Sequence, residues 1–285
     1  MRGRSRRRIA WMAAPVLAGL LALGTVFLTR ATPAEATAPD PLRVVMYHGL
    51  TPRRADAHQY AVETALFESD LRYLAENGYS VVSLRQVTEH VQSGAPLPER
   101  PVLLTFDDGL YSVYRYAYPL LEAYDARILF APIGAVTRQY SESGDRNPAY
   151  AYCGWEELRE MRQSGRVEIA SHSYDLHHIE NGTQGLSPRR GESAAAWRLR
   201  ITTDLGRMQR ETQQELGEVP TAFVYPFGAI PAGGDALLRE LGFTASFSCE
   251  SRNNPLRVGD PDCLFRLGRW LRPPHTASAE FFASI

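Results

Sequence analysis

The stretch Pro101-Val102-Leu103-Leu104-Thr105-Phe106-Asp107-Asp108-Gly109 decides how the rest of the chain is read. An apolar run that ends in two carboxylates and a glycine is a buried strand with an acidic pair at its C-terminal tip. Adjacent carboxylates repel unless a cation or a proton lies between them. A second apolar run, Val167-Glu168-Ile169-Ala170, ends in Ser171-His172, with His177 close behind. One carboxylate and two imidazoles form a three-ligand set that leaves a divalent metal an open position. The second carboxylate is then free to act as a base towards water.

Outward from these runs the pattern repeats. Residues 42–47, 80–84, 102–106, 127–133, 167–171, 222–227 and 244–248 are short apolar segments expected to be strands. Helical spacing appears between them. Phe67, Leu71 and Leu74 recur on one face before the stop Asn77-Gly78, and Trp197, Ile201, Leu205 and Met208 form a stripe suited to core packing. Strands that alternate with helices imply parallel pairing through crossovers. Seven of them suit an α/β fold closed as a distorted (β/α)7 barrel. In such barrels active sites assemble at the C-terminal ends of the strands. His48, Asp107, Asp108, His172 and Phe227-Gly228 all follow strand ends, which groups them into one site.

The chain has 285 residues, enough for one domain with a sizeable core, and a formal net charge of -1. The charge is uneven. Six arginines but only one acid, Glu35, fall in residues 1–36, so the remainder carries a net charge of about -6. No nucleic-acid partner is implied, and the basic cluster is a targeting feature. Ile9–Leu28 is free of charge and long enough to span a bilayer. Residues 1–36 are therefore a signal peptide or a membrane anchor, 37–41 a linker and 42–285 the functional domain. Either N-terminal outcome exports the domain, to the cell surface, periplasm or medium. Of three cysteines, Cys249 and Cys263 flank a polar loop and are the expected bridge, with three free thiols as the alternative.

Thr-Phe-Asp-Asp-Gly at 105–109, Ser171-His172 with His177, and Tyr225-Pro226-Phe227-Gly228 resemble the motifs of the NodB-homology polysaccharide deacetylases, metal-dependent carbohydrate esterases that act on N-acetyl groups. The resemblance covers roughly residues 42–285. Tyr47-His48-Gly49-Leu50 ends the first strand, where a late histidine motif would be usual. This order resembles the circularly permuted branch whose exported members deacetylate poly-β-1,6-N-acetylglucosamine, a biofilm polysaccharide. The resemblance implies removal of N-acetyl groups from an N-acetylglucosamine polymer. Peptidoglycan, chitin-type oligomers, an O-acetyl ester and a non-catalytic carbohydrate-binding relative are the alternatives.

The roles that follow are those the resemblance implies. Asp108, His172 and His177 ligate a divalent metal, with zinc the best fit to the ligand types and cobalt, nickel or iron also compatible. His178 competes for the second imidazole position, and the family spacing selects His177. Asp107 is the base, His48 protonates the departing amine, and the Phe227 N–H stabilises the oxyanion, with Tyr225 beside the substrate. The family's usual arginine before the proline-aromatic pair is replaced here by Val224 and Tyr225. Arg269, from a later strand, is the candidate to orient Asp107 instead. Asp175 is either a partner of a ligand histidine or a loop residue.

Overall fold

The computed structural model describes residues 40–285, and its longest strand is the acidic-tipped run Pro101–Asp108. We label the barrel strands β1 (Arg43–Tyr47), β2 (Pro101–Asp108), β3 (Ile128–Pro132), β4 (Val167–Ile169), β5 (Ala222–Val224), β6 (Ala245–Phe247) and β7 (Trp270–Leu271). The strands β7, β1, β2, β3 and β4 pair side by side in that order, all parallel. A second parallel pair, β5 and β6, completes the ring. Single parallel bridges join the two sheets: Ser171 to Phe223, and Phe247 to Leu267 just before β7. The seven-membered barrel expected from the sequence is therefore present, and it is distorted because only single bridges close it on two sides.

One member of the expected set is different. Residues 80–84 do not form a barrel strand. Ser80–Val81 pairs only with the start of β2. Ser83 then caps a helix: its hydroxyl accepts from the Gln86 N–H, and Gln86 reaches back to the Ser83 backbone. The capping pattern overrides the apolar run. The seventh strand is instead the short Trp270–Leu271, reached through the isolated bridge at Leu267, and Arg269 just before it disguises the segment as polar.

The alternation of β2 sorts its side chains. Leu103 points into the barrel with Val44, Leu129, Val224, Phe247 and Leu267. Val102, Leu104 and Phe106 face outward onto the helical layer with Phe67, Leu71 and Leu158. The inward row continues from Leu103 through Thr105 to Asp107 at the period of two that a strand imposes. Burying a Leu or Phe side chain contributes about 1.5–3 kcal/mol, so the two faces together leave this strand little freedom.

The helices are α1 (Thr64–Glu76), α2 (Leu84–Ser93), α3 (Tyr118–Ala123), α4 (Gly134–Ser143), α5 (Trp155–Gln163), α6 (Ala194–Leu216), α7 (Gly234–Glu240) and α8 (Ser278–Ala283). α1 buries Phe67, Leu71 and Leu74, and Asn77 ends it before Gly78 at a positive φ of 72°. α6 buries Ile201, Leu205 and Met208. Trp197, also expected on that stripe, is partly exposed and donates its indole N–H to the Leu186 carbonyl.

Residues 40–285 fall in one compact unit. The segment 1–36, expected to be a signal or anchor, and residues 37–39 of the expected linker lie outside the described residues. Among the described residues no helix is long and apolar enough to cross a membrane. All three cysteines are free thiols, so the expected Cys249–Cys263 bridge is absent. The Cys249 sulfur lies 3.9 Å from the Arg269 guanidinium, and Cys263 contacts the Arg257 backbone instead.

Candidate active site

Parallel strands deliver their C-terminal ends to one side of the barrel, and the candidate residues meet there. Asp107 ends the inward row of β2 and is 2% exposed. Arg269, fully buried, meets it with two parallel bonds: Nη1 donates to Oδ1 at 2.7 Å and Nη2 to Oδ2 at 2.8 Å. The guanidinium is held in turn by the Ser248 carbonyl, which accepts from Nε at 2.9 Å, and by Thr105 Oγ1 at 3.3 Å from Nη1. Burial pushes the Asp107 carboxyl up. The Arg269 charge, the nearby His172 and the Arg269 hydrogen bonds outweigh it and hold the pKa at about 2.

Asp108 turns the other way. Its φ of 70° lies in the left-handed region, which side chains seldom occupy, and Gly109 follows at 91°. A Cβ on Gly109 would sit 2.9 Å from the Pro132 Cβ, so only glycine fits against β3. This turn aims one aspartate into the barrel mouth and the next towards the histidines. Asp108 Oδ1 is buried, has no hydrogen-bond partner, and lies 3.5 Å from the Nε2 atoms of both His172 and His177.

His172 is 2% exposed, and its Nδ1 sits 2.8 Å from the Val224 carbonyl. A ring N–H donated there leaves Nε2 as the lone-pair atom facing Asp108. The loop to His177 is folded back by Ser173, at a φ of 70°, whose hydroxyl accepts from the Leu176 N–H. Asp204 of α6 fastens it from outside by accepting the N–H groups of Tyr174 and Asp175, both at 2.8 Å. The two imidazoles lie 4.7 Å apart. Burial and the neighbouring His172 lower the pKa of His177. Burial works in the same direction at His172, but the contacts with Asp108 and Asp107 win and raise it.

Ligand atoms of Asp108, His172 and His177 all lie within 4.8 Å of one another. An orphaned buried carboxylate oxygen facing two imidazole nitrogens fits a divalent cation in both donor type and spacing. His178 is not part of this set. It faces Asp175 and Glu180 at 4.0 and 3.8 Å. Asp175 is exposed and supports neither ligand histidine, a role the Val224 carbonyl fills for His172.

His48 follows β1 and lies near enough to both aspartates to be among the smaller causes that lower their pKa values. Its Nδ1 is buried without a partner, and its ring packs edge-on against Tyr60 at 4.9 Å. Phe227 sits in a left-handed turn at a φ of 59° after Pro226. Its ring stacks on His177 at 4.5 Å and remains 40% exposed. Tyr225 must be corrected. It is fully buried, and its hydroxyl donates to Asp235 Oδ1 at 2.8 Å, so it packs the core beneath the site and meets no substrate. Asp204 was not singled out from the sequence. Its only signal there is an acid inside an otherwise ordinary helix, which nothing local distinguishes.

The family model described as polysaccharide deacetylase matches residues 94–246. A poly-beta-1,6-N-acetyl-D-glucosamine N-deacetylase of Escherichia coli K12 is 32% identical over 227 residues, which is 73% of this chain and 34% of the relative. The chain thus spans about a third of that relative's length. Among solved structures, a de-N-acetylase from Aggregatibacter actinomycetemcomitans superposes with a TM-score of 0.75 and 28% identity, over 86% of this chain and all of the other. IcaB from Ammonifex degensii follows with a TM-score of 0.67 and 28% identity, over 82% of this chain and 93% of the other.

Proposed function

The chain belongs to the polysaccharide deacetylase family, and from that premise we propose that it is a metal-dependent N-deacetylase of an N-acetylglucosamine polymer, the β-1,6-linked polymer of biofilms. The observation that carries the reading is one carboxylate, Asp108, facing two imidazoles, beside a second carboxylate that an arginine keeps ionised. The names of the relatives favour the β-1,6 linkage. Residues 42–285 are the catalytic domain in this reading, and residues 1–36 export it as a cleaved signal or hold it to a membrane.

Asp108, His172 and His177 would hold the cation, with zinc the best match to two nitrogens and one oxygen. A divalent metal bound there supplies a Lewis acid for the acetamide carbonyl and an acidified water. Asp107 takes the proton from the attacking water. Its pairing with Arg269 keeps the carboxylate charged and fixes its direction. Attack at the carbonyl carbon puts negative charge on its oxygen, and the Phe227 N–H is the backbone donor for that charge. His48 gives a proton to the amide nitrogen as the C–N bond breaks. Water and amide become acetic acid and amine, the proton that Asp107 takes from the water balancing the one that His48 gives to the nitrogen.

Release of free amine from a panel of N-acetylglucosamine oligomers of defined linkage tests the reading. Turnover should be greatest on the β-1,6-linked members and should stop on chelation. Asp107→Asn should lower kcat by about 10²–10⁴-fold and still bind one equivalent of divalent metal. Full activity in that variant removes Asp107 from the base role. A parent enzyme that acts only on chitin or peptidoglycan fragments replaces the substrate and keeps the chemistry.

A further inference from the structure

Arg269 reaches Asp107 from a loosely built part of the barrel. It lies between Leu267, which meets β6 through a single bridge, and the two-residue strand β7. Its backbone N–H donates to the Glu250 carbonyl, in the loop after β6, at 2.8 Å. A long side chain with several rotatable bonds leaves this segment, so its head group needs anchors of its own. The two bonds to Asp107 fix the guanidinium relative to the carboxylate. They do not fix the pair relative to the barrel.

A guanidinium presents its N–H donors in one plane and accepts nothing. Beyond the two bonds to Asp107, Nε donates to the Ser248 carbonyl at 2.9 Å, and Nη2 has the Cys249 sulfur, a weak acceptor, at 3.9 Å. The remaining Nη1 proton goes to Thr105 Oγ1 at 3.3 Å. Thr105 is 1% exposed and lies two residues before Asp107, on the same inward row of β2. Its hydroxyl donates its one proton to the Val45 carbonyl of β1 at 3.0 Å. Arginine can only donate and a carbonyl can only accept, so the polarity of this hydroxyl is fixed from both ends. Arg269 is fully buried, and bulk solvent cannot replace a missing acceptor. Ser248 and Thr105 therefore hold the guanidinium at two different nitrogens, one from the end of β6 and the other from β2 itself.

We propose that Thr105 is a positioning residue for the hydrolysis. Its hydroxyl ties the Arg269 guanidinium to β1 and β2, and so sets the direction in which the Asp107 carboxylate meets the attacking water. The role rests on the deacetylase reading above and extends the base from a pair to a chain, Thr105 to Arg269 to Asp107.

Thr105→Val removes the hydroxyl and keeps the branched shape, whereas Thr105→Ser keeps the hydroxyl and loses the methyl group. Initial rates on an N-acetylglucosamine oligomer, expressed per zinc-loaded protein, and titration of each apo-protein with zinc test the role. Thr105→Val should lower kcat about 10–100-fold and leave KM unchanged, the sign of an interaction that matters only in the transition state. Its zinc affinity should equal the parent's, because Thr105 bonds to none of Asp108, His172 and His177. Thr105→Ser should recover most of the lost rate. A Val variant with the parent's kcat overturns the proposal. So does a Ser variant as slow as the Val variant, since the methyl packing and not the hydroxyl would then matter. Where Thr105→Val does not fold, Thr105→Ser decides alone: a retained kcat supports the hydroxyl, and a loss of about tenfold overturns it. A zinc affinity that falls together with kcat also overturns the role, because Thr105 would then support the whole strand tip. A parent that releases amine from no oligomer overturns the reading of the function and this role with it, whereas an active parent with an indifferent Val variant overturns the role alone.

Discussion

Removing Arg269 would leave the Asp107 carboxylate buried with no counter-charge beyond the nearby imidazoles. Both partners are almost wholly inaccessible, so their attraction is weakly screened and their isolation is costly. Arg269→Met should therefore destabilise the fold by about 3–5 kcal/mol. Arg269→Lys, which keeps the charge and loses the two-pronged contact, should fold and lower kcat by about 10²-fold with little change in KM. Chemical unfolding and initial rates on an N-acetylglucosamine oligomer measure the two effects separately. A Lys variant within threefold of the parent would make the pair a structural tie only. The two aspartates and His172 were legible because each carries chemistry at a strand end, and His177 because it follows His172 closely. Arg269 was not read from spacing: it lies 162 residues from Asp107 in the chain, and only the missing family arginine drew attention to it. Tyr225 was misplaced for the opposite reason. It is adjacent to the motif, but strand alternation and the Asp235 bond turn it away from the barrel mouth and into the helical layer.

At the scale of elements, the loop that carries the candidate ligand His177 depends on a helix that contributes no candidate ligand. Asp204 of α6 accepts two consecutive N–H groups, those of Tyr174 and Asp175, three and two positions before His177. Burial raises its pKa despite those bonds, so the carboxylate sits there against a desolvation cost. Asp204→Ala frees both N–H groups and loosens the turn between the ligand histidines. Metal affinity should fall about 10–100-fold, as for other supporting partners, while Asp204→Asn retains a carbonyl acceptor and loses less. Titration of the apo-protein with zinc in a competing chelator measures this, and an Ala variant with parental affinity would show that Ser173 alone sets the loop. Element identity followed the same logic of competing signals. An apolar run at 80–84 lost to the Ser83 cap, and the two-residue strand at 270–271 was hidden by the buried arginine just before it.

The barrel as a whole is closed by contacts between its first and last segments, and one buried network makes that closure specific. Arg272, just after β7, donates from Nε and Nη2 to the two oxygens of Asp70 on α1, both at 2.8 Å. Tyr47, the last residue of β1, donates its hydroxyl to the same carboxylate at 2.9 Å. The Arg272 backbone N–H reaches the Met46 carbonyl at 3.0 Å, and its guanidinium lies 4.7 Å from the Phe281 ring of α8. Three segments, the end of β1, α1 and the residue after β7, are thus joined at one carboxylate, across separations of 23 and 202 residues. Loop-closure entropy opposes such distant contacts, so they must be strong once formed. Asp70→Ala leaves the arginine buried and unpaired and should cost about 3–5 kcal/mol. Tyr47→Phe removes one hydrogen bond and leaves Asp70 with its arginine, costing about 1 kcal/mol. The double variant Asp70→Ala/Arg272→Met removes both charges and should be less destabilised than the sum of its singles, because each single change strands the other partner. Denaturant unfolding of the four proteins in that cycle gives the coupling directly. Additive losses would mean that the apolar packing of β1, β7 and α8 closes the barrel without this network.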